Sequence, residues 1–246
     1  MTHRQKDVYS SDFSDTFGVI HIPKLILITK TVTEISGKNK VEITLDIASG
    51  DGFVAREVEA CTRGEVVGCD ISVACVHKAR KRNLQTILMD LNQKMPFRSE
   101  SFDMVTALDI YEHIGELDLL QQEIRRILKP GGFLILTTPN LGSLMERLFL
   151  LLGFQPLGIE VSQYGKFGAI AHRGKNRPVG HVRTLTLRAL KEFLNYYNFD
   201  LIQVKACPLN TPYRLLNVID NSIGRLFPSL SNELLIVCRK KCGRQV

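Results

Sequence analysis

The sequence predicts an α/β fold: a doubly wound, mostly parallel seven-stranded sheet with helices on both faces and an insert after the fifth strand. Three observations predict it. Apolar runs alternate with helical stretches from Glu42 to Thr138, and strands that are apolar throughout belong to parallel sheets covered on both faces. The first run leads into a glycine turn, Leu45-Asp46-Ile47-Ala48-Ser49-Gly50-Asp51-Gly52-Phe53-Val54-Ala55. Glycine there lets the backbone approach a ligand, and the helix behind it presents its positive end. Asp70 follows Gly50 by 20 positions, at the end of the next apolar run. At that spacing, doubly wound nucleotide-binding domains place an acid on a ribose hydroxyl.

Each element has its own local reason. Met1 to Phe17 reads as a loose leader. A helix follows over Pro23 to Ser36, with Pro23 near its start and Gly37 after its end. It is expected to cover the sheet, the alternative being a cap over the ligand site. The first strand is Glu42 to Ile47, and a helix runs from Phe53 to Cys61. Glu65 to Asp70 is the second strand, and Ser72 caps a helix reaching Arg82. Leu84 to Met89 is the third strand, ending at Asp90, and Phe102 to Leu108 is the fourth. Glu116 to Leu128 carries Leu117, Leu120, Ile124, Ile127 and Leu128 at helical spacing. Lys129-Pro130-Gly131-Gly132 stops it, and Phe133 to Thr138 is the fifth strand. Beyond it, Leu141 to Gly153 and Thr186 to Tyr197 read as helices, and Leu201 to Cys207 as the sixth strand. Leu215 to Leu226 is helical, and Glu233 to Cys238 is the last strand. Its short lead-in, Pro228 to Asn232, favours antiparallel entry into the sheet.

The expected organisation is one domain, 1–246. It comprises a leader and helix (1–40), a ligand-binding core (41–140), an insert (141–185) and the C-terminal half of the sheet (186–246). An apolar share of 44% suits a sizeable core. No run reaches the ~18 apolar residues of a membrane span. The start lacks the basic-then-apolar order of a signal peptide, so a cytoplasmic location is expected. Cys61, Cys69, Cys75, Cys207, Cys238 and Cys242 form no CxxC pair and no Cys/His cluster of zinc spacing. Reduced thiols and no metal are therefore expected. The net charge is +7, and no Asp or Glu occurs from Val161 to Lys191, a stretch holding Lys166, Arg173, Lys175, Arg177, Arg183, Arg188 and Lys191.

Gly50-x-Gly52-x-x-Ala55 alone fits a dinucleotide loosely. Asp46, just before the turn, discriminates. Its carboxylate would repel a pyrophosphate and attract an ammonium or sulfonium group. S-adenosylmethionine carries both cations and no phosphate, so the acid tips the reading toward that cofactor.

Further motifs support this: Val-Gly-Cys-Asp-Ile-Ser (67–72), Met-Asp-Leu-Asn (89–92), Pro-Phe (96–97), Ser-Phe-Asp (101–103), Ala-Leu-Asp-Ile-Tyr-Glu-His-Ile (107–114), Leu-Lys-Pro-Gly-Gly (128–132) and Thr-Pro-Asn (138–140). In this order and spacing the chain resembles the class I S-adenosylmethionine-dependent methyltransferases of type 11 or 12, with their Rossmann-like sheet, over Leu45 to Asn140. The resemblance implies that Asp46 and Gly50 line the methionine part of the cofactor, with Ala48 and Gly52 of the same turn also among the cofactor-binding residues. It also implies that Asp70, with Ile71 beside it, binds the ribose, that Asp90 and the Leu91 backbone read the adenine edge, and that Ala107 completes the pocket. One position departs from the pattern: Ala48 stands where the family usually has glycine.

Methyl transfer mainly requires alignment and exclusion of water, and a hydroxyl acceptor gains from a general base. His113, after the fourth strand, is the first candidate base, with Glu112 beside it. His181 is the second. The insert carries the candidate acceptor residues Tyr164, His172 and Arg183, while Thr186 is expected to cap the helix that follows. The Leu144 to Leu152 stretch reads either as a helix packed on the sheet or as an apolar lid touching a greasy acceptor or a membrane surface. The expected acceptor is a small acidic or amphipathic molecule, methylated on oxygen. RNA or protein methylation through the basic stretch, and a non-catalytic cofactor-binding scaffold, are the alternatives. Nucleic-acid binding is not favoured, since no amino-group methylation signature follows the fourth strand.

Overall fold

The computed structural model describes residues 22–162, 164–170, 178–211 and 213–243. The expected leader, His172 and the basic residues Arg173, Lys175 and Arg177 lie outside the described residues. The elements are α1 (Ile22–Ser36), β1 (Ile43–Ile47), α2 (Phe53–Thr62), β2 (Glu65–Asp70), α3 (Val73–Lys81), β3 (Gln85–Leu88) and β4 (Phe102–Leu108). After a 3-10 turn (Tyr111–His113) come α4 (Leu117–Ile127), β5 (Leu128–Pro139), α5 (Leu144–Leu151), α6 (Leu187–Tyr196), β6 (Phe199–Ala206) and α7 (Arg214–Leu226). A second 3-10 turn (Pro228–Leu230) leads into β7 (Glu233–Lys240).

The sheet order is β3-β2-β1-β4-β5-β7-β6. The five strands β1 to β5 pair in parallel, and β7 runs antiparallel between β5 and β6. The seven-stranded, mostly parallel sheet and its antiparallel last strand match the sequence expectation. Strand order reverses between β1 and β4, so the crevice at their carboxyl ends is the switch point where such folds bind ligands.

Alternating side chains divide the core into two layers. Leu45, Ile47, Ala107, Leu134 and Leu136 face α4 and α6 through Leu120, Ile124, Leu190 and Leu194. Met104, Ile135 and Val237 on the other face meet α1 and α2 through Ile28, Val32, Ala55 and Val58. Ile28 and Val32 are one helical turn apart and fully buried, which makes α1 a cover of the sheet, as expected. Ser72 and Thr186 accept from the Cys75 and Ala189 backbone N–H groups and so cap α3 and α6.

Two motif residues hold the frame. The Asp103 carboxylate accepts from the Glu42 and Ile43 N–H groups, each at 3.0 Å, and from Lys129 at 2.8 Å. Asn140, buried at the end of β5, donates to the Ser229 and Ser231 carbonyls and accepts from the Gly142 N–H, each at 2.9 Å. It thereby latches the lead-in of β7 to the start of the insert. Cys69, Cys207 and Cys238 are buried free thiols, Cys61 and Cys75 are half-buried and Cys242 is exposed.

Helix α5 departs from the packed-helix reading. Leu148, Leu150, Leu151 and Leu152 are all exposed, and Glu146 is the one buried side chain of α5. The Glu146 carboxylate accepts from the Leu157 and Gly158 N–H groups at 2.8 and 3.0 Å. In α5 the buried position is thus taken by an acid that ties down a loop, and the leucines lie outside.

Candidate active site

The first part of the site lies over β1, β2 and β3. Asp46 is almost fully buried. Register sets its neighbour: Asp46 pairs with Thr106 of β4, whose hydroxyl donates to Asp46 Oδ1 at 2.5 Å. Burial pushes the Asp46 carboxyl up to about 7; the Thr106 bond opposes this and nearby Asp70 adds to it. A carboxylate held in so apolar a place gains from a cation.

The turn that follows winds through three positive φ angles: Ala48 at 56°, Gly50 at 55° and Gly52 at 79°. A side chain at Gly52 would crowd Ala79 and Leu84 at 3.0 Å, whereas a Cβ at Gly50 meets nothing within 4 Å. Open space beside the Gly50 backbone, with a buried acid at the strand end, fits a ligand carrying cationic groups. Ala48 adopts the left-handed conformation despite its Cβ, which costs ~1–2 kcal/mol relative to an ordinary helical or extended conformation. Asp70 anchors the turn, accepting from the Gly50 N–H at 2.9 Å and the Ser72 N–H at 2.8 Å. Burial raises its pKa although these bonds lower it. Ile71 is half-buried beside it. Asp90 accepts from the Asn92 backbone and side chain at 2.9 and 3.0 Å, a turn that fixes the loop after β3. The Leu91 side chain and the Ala107 methyl belong to the core, so Leu91 has its backbone to offer a ligand.

The second part lies over β4, β5 and the start of β7. Asp109 leaves β4 at φ 52°. It accepts from Thr137 Oγ1 at 2.7 Å, and its own N–H donates to the Thr137 carbonyl at 3.0 Å. Lys24, buried in the first turn of α1, forms ion pairs with Asp109 and Glu233. Burial opposes the Lys24 charge, yet the two carboxylates outweigh it and raise its pKa. For Asp109, burial pushes upward but Lys24 prevails and lowers its pKa. Burial and the Asp109 charge lift Glu233 to about 7.

Beyond Asp109, the 3-10 turn places Tyr111, Glu112 and His113 in the interior. The Tyr111 hydroxyl donates to Gln121 of α4. Glu112 accepts from Thr138 Oγ1 at 3.1 Å, and burial, with Asp109 nearby, raises its pKa to about 8. Its carbonyl accepts from the Val182 and Arg183 N–H groups at 2.8 and 3.3 Å, which docks the insert onto the turn. Glu160 accepts from the Val179, Gly180 and His181 N–H groups and fixes the same segment.

The result brings the two candidate histidines together, with ring centroids 4.9 Å apart. His113 Nδ1 lies 3.1 Å from the Gly180 carbonyl and His181 Nδ1 lies 3.2 Å from the Gly158 carbonyl. A carbonyl only accepts, so each Nδ1 carries the proton and each Nε2 carries the lone pair. Burial and the neighbouring His181 lower His113 to about 4; burial likewise lowers His181. Arg183 donates to the Gly115 carbonyl at 2.6 Å, and its buried Nε has no partner among the described residues. Tyr164 is largely exposed on the insert.

Lys24, Thr106, Asp109, Thr138, Glu160 and Glu233 were not singled out by the sequence analysis. Asp109 and Thr138 lie inside quoted motifs, and Thr106 is a hydroxyl residue inside a largely apolar run. The others acquire meaning from pairing across the fold.

Residues 45–136 match the family model described as a methyltransferase domain. Over these residues the chain is similar to the class I S-adenosylmethionine-dependent methyltransferases. Among curated relatives, the chain is 28% identical over 140 residues to the demethylmenaquinone methyltransferase of Chlorobaculum tepidum, covering 55% of this chain and 57% of that protein. It is 30% identical over 136 residues to the ubiquinone biosynthesis O-methyltransferase of a Chelativorans species, covering 50% and 51%. The match thus spans little more than half the length of these relatives.

A solved S-adenosylmethionine-dependent methyltransferase from Methanosarcina mazei superimposes with a TM-score of 0.60 at 17% identity, covering 83% of this chain and 95% of that one. The [4+2]-cyclase SpnF superimposes with a TM-score of 0.59 at 20% identity, covering 88% and 82%. At such identities the likeness is one of fold, and function must be argued from the site.

Proposed function

We propose that the protein transfers the methyl group of S-adenosylmethionine to an oxygen of a small acidic or amphipathic acceptor. The observation that carries the reading is the buried Asp46 beside the open Gly50 turn. Asp46, Gly50 and Gly52 would hold the methionine end of the cofactor, Asp70 and Ile71 the ribose, and Asp90 with Leu91 the adenine. Bound there, the cofactor supplies an activated methyl group whose displacement needs little covalent help from the protein.

The acceptor faces the second part of the site. His113 and His181 are neutral near pH 7 and can accept a proton from a hydroxyl acceptor. Arg183 offers its Nε to an acidic group, and Tyr164 and His172 belong to the same insert. Along the chain the exposed leucines of α5 are followed by exposed Phe154, Ile159, Val161, Phe167 and Ile170. Such a surface suits an amphipathic acceptor or contact with a membrane face. No described helix is long and apolar enough to cross a membrane. The relatives named for demethylmenaquinone and for ubiquinone biosynthesis support an amphipathic acceptor class.

Calorimetry tests the cofactor: S-adenosylmethionine and S-adenosylhomocysteine should bind and NAD should not. Transfer of a labelled methyl group to phenolic and carboxylic amphiphiles, with RNA and protein as parallel acceptors, tests the substrate class. Labelling of RNA alone would replace this reading by its nucleic-acid alternative.

A further inference from the structure

We propose that Glu112, His113 and His181 bind a divalent transition-metal ion of the zinc class, with an open coordination position toward the methyl acceptor. The metal site stands on the side chains themselves, and its role toward the acceptor rests on the function proposed above.

The first support is proximity. One donor atom from each of the three residues lies within 4.8 Å of the others. Tetrahedral zinc with bonds of about 2.0–2.1 Å spaces its donors by roughly 3.4 Å. Closing the gap takes a movement of roughly an ångström, within reach of side-chain rotation.

The second support is the shell around the donors. A metal-bound imidazole characteristically donates its other N–H to a carbonyl or carboxylate, which fixes the tautomer. Both rings here already do so, to Gly180 and Gly158. The acid is likewise oriented, by Thr138. The Glu112 carbonyl and the Glu160 carboxylate hold the His181 segment against the turn. The three donors are therefore gathered and their rings held by hydrogen bonds before any ion arrives, and binding needs only the small closing movement above.

The third support is chemistry. Two imidazole nitrogens and one carboxylate oxygen suit zinc or ferrous iron better than magnesium or calcium. Three protein ligands leave a tetrahedral ion one position for a water or an acceptor oxygen. A dication would also offset the cost of burying the Glu112 carboxylate between two close imidazoles. In the loaded protein the histidines hold the ion rather than accept a proton, and a ligated hydroxyl loses its proton to solvent.

The test is titration of chelator-stripped full-length protein with Co2+ and Zn2+, with S-adenosylhomocysteine calorimetry on each variant to report the cofactor side and the fold. The expected result is one saturable Co2+ site with an absorption spectrum of nitrogen and oxygen ligation. Affinity should fall at least tenfold in His181→Ala, His113→Ala and Glu112→Gln while cofactor binding persists. His181 is only half-buried, so its variant decides if His113→Ala fails to fold. Unchanged Co2+ affinity in His181→Ala, a thiolate charge-transfer band, or no saturable binding by the wild-type protein would overturn the proposal. Loss of cofactor binding by the wild-type protein with the Co2+ site intact would overturn the cofactor reading and still support the metal site.

Discussion

The two halves of the carboxyl edge are built in opposite ways. Over β1 and β2, the proposed cofactor part comes from one short stretch and two strand-end acids. Asp46, Ala48, Gly50 and Gly52 lie within seven residues, and Asp70 reaches back 20 positions to hold the Gly50 N–H. Over β4, β5 and β7, the proposed acceptor part comes from four distant segments. Lys24 meets Asp109 across 85 positions and also Glu233, while His113 meets the insert at Gly180 across 67. The first half is a property of a turn; the second is a property of the fold. A turn can be read from its glycines, whereas a convergence requires knowing which segments touch.

The sharpest way to break this contrast is through the acceptor half. In the metal-free protein, His181→Ala should lower turnover by about 10²–10⁴-fold, the usual range for a lost acid–base group, while leaving the S-adenosylhomocysteine affinity nearly unchanged. Equal losses of turnover and cofactor affinity would merge the halves.

Next in size is Lys24→Met. Removing one partner of a buried ion pair costs about 3–5 kcal/mol. Asp109 remains 45% exposed in its side chain, so the lower end, about 3 kcal/mol, is expected in denaturant unfolding. A change below about 1 kcal/mol would show that Lys24 does not link α1 to the acceptor half.

On the cofactor half, Asp46→Asn should weaken S-adenosylmethionine by about 10–100-fold in calorimetry, the range for one hydrogen bond to a charged group of about 1.5–3 kcal/mol. The same residue sets a pH dependence. In the free protein the Asp46 pKa is raised from 3.8 to about 7, so its contribution favours the folded state below pH 3.8 and is lost as pH rises through 7. A cationic ligand prefers the ionised form. Cofactor affinity should therefore rise with pH up to about 7 and level off above it, falling about tenfold per unit well below that point. Asp46→Asn should flatten the profile.

The smallest effect is Ala48→Gly. Relief of the left-handed strain, ~1–2 kcal/mol, exceeds the extra unfolded-chain entropy of glycine, ~0.5–1 kcal/mol. The variant should gain about 0.5 kcal/mol in denaturant unfolding. Destabilisation would mean that the Ala48 methyl packs more usefully than its backbone is strained.

These cases show why legibility differed along the chain. The boundaries of β2 and β4 agree with the apolar runs Glu65 to Asp70 and Phe102 to Leu108, because continuous apolar strands bounded by turn residues leave little choice. The Ser72 and Thr186 caps were legible because capping is local. The orientation of α5 was not. Its leucines suit a buried face, but Glu146 takes the inward position to hold Leu157 and Gly158, and a competition between one acid and several leucines is decided by the loop it must satisfy. The cysteines lack zinc-type spacing, but spacing along the chain says nothing about donors gathered from separate segments, such as Glu112, His113 and His181.

By itself, then, the sequence determined the seven-stranded frame, the turn at Gly50 and Gly52, and the acid that suits a cationic cofactor, since each follows from short-range periodicity, backbone freedom or local charge. The tertiary structure alone decided that Lys24 joins Asp109 and Glu233, and that Glu112, His113 and His181 form one cluster. Those contacts depend on where the insert folds back over β4. That path is fixed by the Glu112 carbonyl, Glu160 and the Asn140 latch, through long-range hydrogen bonds that leave no periodic trace in the chain.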